Sequence, residues 1–284
     1  MLLGLIGSPI AHSASPAMHE AAARGAGFAA HYQLIEVAGA SRQTLEIILV
    51  GLRQKKFAGV NVTFPYKELV VPLLDGLSAA ARAIGTVNAV VIGEGGLIGH
   101  NTDATGFASA FRAVFGTVAP GSVALIGAGG VGRAIAFALA ELGASQLRIL
   151  DRDHDKAKAL AGAIAGRLPA YAVTEPRAAL AGADGLVNGT PSGMLPDSSS
   201  PIPAALLHGG LWVADAVYSP LWTPLLISAR DCGAKLMTGR ELCVYQARDA
   251  FRLFTGIEPD TRLMADAFDE VMRLRTLPKN DRAP

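Results

Sequence analysis

Apolar residues fall in short runs separated by longer stretches of helical period, and this alternation starts at the first residues. Leu2 to Gly7 is an apolar run ending at Gly7-Ser8-Pro9, and the following Ser15-Pro16 predicts a helix start with Ser15 as its cap. The unit recurs: Tyr32 to Val37 reads as a strand, Ser41 to Arg53 as a helix, and Gly59 to Thr63 as a strand stopped by Pro65. Repeated strand–helix units imply a mostly parallel sheet. Thr86 to Ile92 and Gly95 to His100 flank a Gly-Glu-Gly turn signal and predict a hairpin at the edge of that sheet.

A helix from about Ala104 to Phe115 leads through Ala119-Pro120-Gly121 into a second alternating series. Its strands are expected at Ser122 to Ile126, Gln146 to Asp151, Ala170 to Val173, Gly185 to Asn188, Leu211 to Asp215 and Lys235 to Met237, with helices between them. That is the pattern of a doubly wound domain. Beyond Gly239, the stretches Glu241 to Thr255 and Thr261 to Leu274 are helical without strand partners and are expected to return to the first domain. The predicted fold is therefore α/β in two domains. Residues 1–103, completed by about 240–275, form a mostly parallel domain, residues 104–239 form a Rossmann domain, and residues 276–284 form a flexible tail, polar and proline-flanked from Pro278 to Pro284.

Composition narrows the partners. Of 284 residues, 51% are hydrophobic and 17% charged, which suits buried parallel strands. A formal net charge of +1, spread along the chain, gives no footprint for nucleic acid or an anionic membrane, so small molecules are the expected partners. The uncharged stretch from Ala113 to Gly132 reaches spanning length, but Pro120 and its glycines break it. Cys232 and Cys243 form neither a metal motif nor a disulfide framework, so no metal is expected and both thiols are read as reduced. Met1-Leu2-Leu3-Gly4 carries no basic leader and Pro9 interrupts the apolar run, which points to the cytoplasm. Oligomeric state has no signature here.

Gly127-Ala128-Gly129-Gly130-Val131-Gly132 directly follows the strand Val123 to Ile126 and opens an alanine-rich helix from about Gly130 to Leu142. In that setting backbone N–H groups and the helix dipole receive a pyrophosphate. Gly127 allows the tight turn, Gly129 lets backbone approach phosphate, and Gly132 lets helix and strand pack closely. Asp151 ends the next strand, where a carboxylate accepts hydrogen bonds from the adenosine ribose hydroxyls. A 2′-phosphate there would meet Asp151, Asp153 and Asp155, with Arg152 and Lys156 the nearby cations. NAD is favoured, and Arg152 keeps NADP as the less favoured cofactor. The structural alternative is that Asp151 merely caps a helix starting near Asp153.

Three polar motifs lie at expected strand ends in the first domain. His12 to Pro16 places Ser13 and Ser15 near a helix start, where hydroxyls and backbone N–H groups can bind a carboxylate. Asn61 to Lys67 holds Lys67 just past Pro65, and Gly99 to Asp103 puts Asp103 at the start of the connecting helix. Singly, each has a plainer explanation: helix caps for Ser15, Asn101 and Asp103, a solvated cation for Lys67, packing for Tyr218. His12, His19 and His100 lack metal-ligand spacing and are read as structural.

Together, however, the ordered set HSASP, NVTFPYK, IGTVN, GHNTD, GAGGVG, NGTPSGM and YQARDAFRLFTG resembles the shikimate dehydrogenase family, with its quinate-using members, over nearly the whole chain. The resemblance implies an oxidoreductase that interconverts a ring alcohol and a ketone with a nicotinamide cofactor. It implies Lys67 and Asp103 as the catalytic pair, Ser13 and Ser15 with nearby Tyr218 for the substrate carboxylate, and Thr63, Asn88, Asp103 and Gln246 for the ring hydroxyls. Thr190 and Gly239 join the glycine loop, Asp151 and Arg152 as cofactor residues, Gly239 at the nicotinamide. Shikimate is the leading substrate, since Ser15 stands where threonine would favour quinate. Quinate, an amino analogue of shikimate, or a catalytically idle ligand sensor are the alternatives. Departures from the family pattern are Ala89 in Asn88-Ala89-Val90, Asp151-Arg152-Asp153 for the common Asn-Arg-Thr, and Ala216 and Glu241 where methionine is frequent.

Overall fold

The computed structural model describes residues 1–276, so the expected tail lies, from residue 277, outside the described residues. The chain divides into two compact units, one of residues 1–102 with the chain from Val244 onward, the other of residues 103–243.

The first unit is built on β1 (Leu2–Gly7), α1 (Ser15–Gly25), β2 (His31–Glu36), α2 (Arg42–Gln54), β3 (Phe57–Val62), β4 (Gly76–Leu77), α3 (Ala79–Ile84), β5 (Ala89–Gly93) and β6 (Gly96–His100). Its sheet runs β2-β1-β3-β5-β6-β4. β1 pairs in parallel with β2 and β3, and β4 with β6, while β5 is antiparallel to both neighbours. The β5–β6 hairpin is present but is not the edge: β4 lies outside it. Neither β4 nor α3 is legible in the apolar pattern. Six helical residues are too few to show a period, and the signals that do mark α3 are its ends, Ser78 accepting from the Ala81 amide and Gly85 at φ +79°.

Leu45, Leu49 and Leu52 share one stripe of α2 and pack with Ile6, Phe57, Val60 and Val62 on one face of this sheet. Leu3, Leu5, Tyr32 and Ala89 face the other way and are covered by Ala250 and Phe254 of α9 (Gly239–Thr255). Gly59 has no room for a Cβ because the Phe254 ring occupies that space. α10 (Thr261–Thr276) packs along α1, where Leu263 fills the hollow beside Gly25.

α4 (Thr102–Phe115) leads into the second unit: β7 (Ser122–Ile126), α5 (Gly130–Glu141), β8 (Gln146–Leu150), α6 (His154–Ile164), β9 (Ala170–Val173), α7 (Pro176–Leu180), β10 (Gly185–Asn188), β11 (Trp212–Asp215), α8 (Pro224–Asp231) and β12 (Lys235–Met237). All its strand pairs are parallel, in the order β12-β11-β10-β7-β8-β9. The order reverses between β7 and β10, the place where ligands bind in such sheets. Every residue of β7 and β10 is buried, as continuous apolar strands require. Among the described residues no helix is long and apolar enough to cross a membrane.

Candidate active site

In the first unit the polar motifs gather at one end of the central strands of the sheet. The Thr63 amide donates to the Ile6 carbonyl at 2.9 Å and the Ser8 amide to the Phe64 carbonyl at 3.0 Å, so the loops after β1 and β3 are tied together. Ser15 is not the cap expected for α1. Ala14 holds the cap position, where its methyl group cannot accept a hydrogen bond, and the Ser15 amide is bound at 3.2 Å by Ser13 Oγ, whose hydroxyl donates to Ser15 Oγ at 3.0 Å. The two hydroxyls thus form one unit at the loop–helix junction, with Ser15 in the first turn.

Lys67 lies half-buried in the turn after β3, where its carbonyl receives the Val87 amide at 2.9 Å. Beneath it Tyr66 is fully buried, its hydroxyl donating to the Val37 carbonyl and accepting the Ala40 amide at 2.9 Å. Asn88, buried just before β5, accepts the Thr102 amide at 2.6 Å and donates to Thr102 Oγ1 at 3.0 Å. Asn101 donates to the Thr86 carbonyl and hydroxyl at 3.1 and 2.9 Å. Behind them the Tyr32 hydroxyl donates to Asn61 Oδ1 at 2.9 Å, and Asn61 Nδ2 to the Asn88 carbonyl at 3.1 Å. The ends of β3 and β5 and the start of α4 are therefore locked by neutral groups. Gln246 is half-buried on α9, one turn before Ala250. Ser13, Ser15, Thr63, Lys67 and Asn88 thus lie on loops at one end of the central strands of one sheet. Asp103, buried in the first turn of α4, and Tyr218, half-buried after β11, belong to the second unit.

Of the histidines, His19 is fully buried, stacked on Tyr32 with ring centroids 4.6 Å apart, and burial pushes it down to about 3. Burial also holds His100 below the usual histidine range. Among the described residues no cluster of His, Cys, Asp and Glu is placed to hold a metal ion.

In the second unit the glycine loop spans β7 and α5. Gly127 takes φ +100°, a conformation that strains any other residue, and its amide donates to the Leu150 carbonyl at 2.8 Å. A Cβ on Gly132 would strike the Gly127 carbonyl, so the first helical turn sits directly on the loop. Gly129 differs: open space lies where its Cβ would be, and Gly129, Gly130 and Val131 are partly exposed at the start of α5. Bare backbone facing open space at a helix N-terminus fits a pyrophosphate. Asp151 spans this loop and the next: Oδ2 accepts the Ala128 amide at 2.7 Å and Oδ1 the Asp153 amide at 2.8 Å. Asp153, not Asp151, caps α6, accepting the amides of Asp155 and Lys156. Arg152 is exposed beside them.

Across the switch point, Thr190 packs against Gly127, and its amide and hydroxyl both bind Asn188 Oδ1, at 3.0 and 2.6 Å. Gly239 is buried against the backbone of Val217 and Tyr218, leaving no room for a Cβ. The Glu241 carboxylate accepts from the Thr238 amide and hydroxyl at 3.1 and 2.7 Å, so the glutamate fixes the start of α9. Sequence reasoning passes over Asn188, Asp215 and Thr223. The available signal was a polar residue closing each of two neighbouring apolar strands.

Two family models match this arrangement in order: "Shikimate dehydrogenase substrate binding domain" over residues 5–90 and "Shikimate / quinate 5-dehydrogenase" over residues 110–195. A shikimate dehydrogenase (NADP(+)) of Streptomyces avermitilis is 44% identical over 93% of this chain and 94% of its own length. The chain belongs to the shikimate/quinate dehydrogenase family. Members of this family are NAD(P)-dependent oxidoreductases acting on a CH–OH group. A quinate/shikimate dehydrogenase (NAD(+)) of Corynebacterium efficiens is 43% identical, with 94% of this chain and 97% of that protein covered. A solved structure of quinate dehydrogenase from Corynebacterium glutamicum in complex with NAD superposes with a TM-score of 0.87 at 40% identity, covering 95% of this chain and 99% of that one. The sheet orders and the glycine loop thus belong to a shikimate/quinate dehydrogenase fold.

Proposed function

We propose that this chain is an NAD-preferring dehydrogenase that interconverts shikimate and 3-dehydroshikimate, with a small hydroxylated ring acid as its partner and the cytoplasm as its place. Residues 1–103, completed by about 240–275, bind the substrate in this reading, and residues 104–239 the dinucleotide.

The observation that carries the cofactor preference is the anchoring of Asp151. Both carboxylate oxygens are held by backbone amides, at 2.7 and 2.8 Å, so the negative charge is fixed at the end of β8. Each oxygen keeps a lone pair for a ribose hydroxyl. A 2′-phosphate would be brought against that charge, with exposed Arg152 and Lys156 as the nearby cations.

A bound nicotinamide supplies the hydride acceptor for alcohol oxidation and the hydride donor for ketone reduction. Lys67 and Asp103 handle the proton: the pair gives it to the ketone oxygen in reduction and takes it from the ring hydroxyl in oxidation. Ser13 and Ser15, already paired through their hydroxyls, receive the substrate carboxylate, with Tyr218 on that side. Thr63, Asn88 and Gln246 hold the ring hydroxyls. Gly127 to Gly132, Asp151, Arg152 and Thr190 hold the dinucleotide, with Gly239 at the nicotinamide.

Quinate is the second reading, supported by the quinate/shikimate activity named for the Corynebacterium relative. The test is a matrix of kcat/KM values crossing shikimate and quinate with NAD and NADP. We expect NAD to exceed NADP with either acid and shikimate to exceed quinate. A preference for NADP overturns the role of Asp151, and no turnover with either acid returns the chain to ligand sensing.

A further inference from the structure

We propose that Asp215 is a positioning residue for the nicotinamide end of the cofactor site, holding the loops after β10 and β11 and the start of α8 as one preset unit. The proposal rests on the reading that Thr190 holds the dinucleotide and Gly239 its nicotinamide. The geometry is convergent. Asp215 is 1% exposed at the end of β11, and its Oδ1 accepts from Asn188 Nδ2 and from the Val217 amide, both at 2.9 Å. Its Oδ2 accepts from Thr223 Oγ1 at 2.7 Å, and that hydroxyl caps α8 by accepting the Leu226 amide at 3.3 Å.

Two of the three bonds continue outward to a cofactor residue. Asn188, itself fully buried, turns its other amide atom to the Thr190 amide and hydroxyl, and Thr190 lies on Gly127 of the phosphate loop. Val217 carries the backbone against which Gly239 is packed, and Tyr218 follows it. One carboxylate therefore ties together three segments: the ends of β10 and β11 and the start of α8.

Stability alone does not account for this choice of residue. All three donors are neutral, and a buried carboxylate without a cation is costly, enough to push Asp215 up to about 6 by burial against the opposing pull of those donors. What the carboxylate offers is acceptor geometry: it receives three donors from three directions, which an amide or a protonated acid cannot do without turning one of them around.

The test compares ligands with and without the nicotinamide. Binding of NADH and of ADP-ribose, which lacks the ring, is measured for the native chain, Asp215→Ala, Asp215→Asn and Thr223→Val, together with kcat and KM. For Asp215→Ala we expect kcat/KM for NAD to fall by about tenfold to a hundredfold, the scale of misplacing a reacting group, with ADP-ribose affinity within about twofold of native. Asp215→Asn, which reverses one bond, should recover most of that loss, and Thr223→Val should show a smaller loss with the same ADP-ribose result. If Asp215→Ala does not fold, the latter two variants decide by the same criterion. Equal weakening of NADH and ADP-ribose, or unchanged kinetics, overturns the proposal. Failure of the native chain to bind NADH more tightly than ADP-ribose overturns instead the placement of the nicotinamide on which it rests.

Discussion

The two units lock their loop ends with different chemistry. In the first, bonds between uncharged groups join Tyr32, Asn61, Asn88 and Thr102, with His19 stacked behind on Tyr32. In the second, a buried carboxylate collects the donors. The difference teaches where protons matter for each half. The titratable group stacked on the first relay is His19, whereas the hub of the second is itself titratable.

The strongest test of the contrast is acid. His19 is pushed from 6.5 to about 3 by burial, and its Nδ1 has no partner. Its folded value is depressed, so its contribution to stability is full above 6.5 and is lost as pH falls toward 3. The loss is on the order of 4 kcal/mol over that window. Urea unfolding followed at pH 7 and pH 4 should show this loss in the native chain and little of it in His19→Phe. An equal loss in the variant removes His19 as the source.

Next in size is the chemistry itself. Lys67→Ala should lower kcat by at least about a hundredfold with a smaller change in KM, and should leave NADH binding intact. Near-normal kcat would take Lys67 out of proton transfer.

Asp215 should respond to pH with the opposite sign from His19. Its folded value is raised from 3.8 to about 6, so its contribution is full below about 4 and is lost as pH rises through 6, by roughly 3 kcal/mol. Subtracting the unfolding curve of Asp215→Asn from that of the native chain between pH 4 and 7 isolates it. A flat difference would refute the contrast between the units. Smallest is the effect of Asp151→Ser, which should move the NAD-to-NADP ratio of kcat/KM by about tenfold toward NADP, one charge-assisted contact's worth.

These features were unequally legible. The glycine loop and the strands around it could be read because their signals are local: a positive-φ turn at Gly127, a short apolar run before it, alanines after it. β4 and α3 are too short to carry a period. Ser15 before a proline has the pattern of a cap, but Ala14 holds that position and Ser15 is already in the first turn, its amide bound by Ser13. Asp151 and Asp215 both close a strand with an acidic residue, yet only the first follows a glycine fingerprint. The role of the second depends on Asn188 and Thr223, which meet it only after the sheet has formed.

The packing of Phe254 into the hollow at Gly59 also dictates an order of assembly. During synthesis the second unit, one unbroken segment ending at Cys243, can close before the rest of α9 emerges, but one face of the first sheet stays bare until Ala250 and Phe254 arrive. β1 thus waits for a helix made long after it, and a chain halted before Phe254 leaves that face of the sheet open and aggregation-prone.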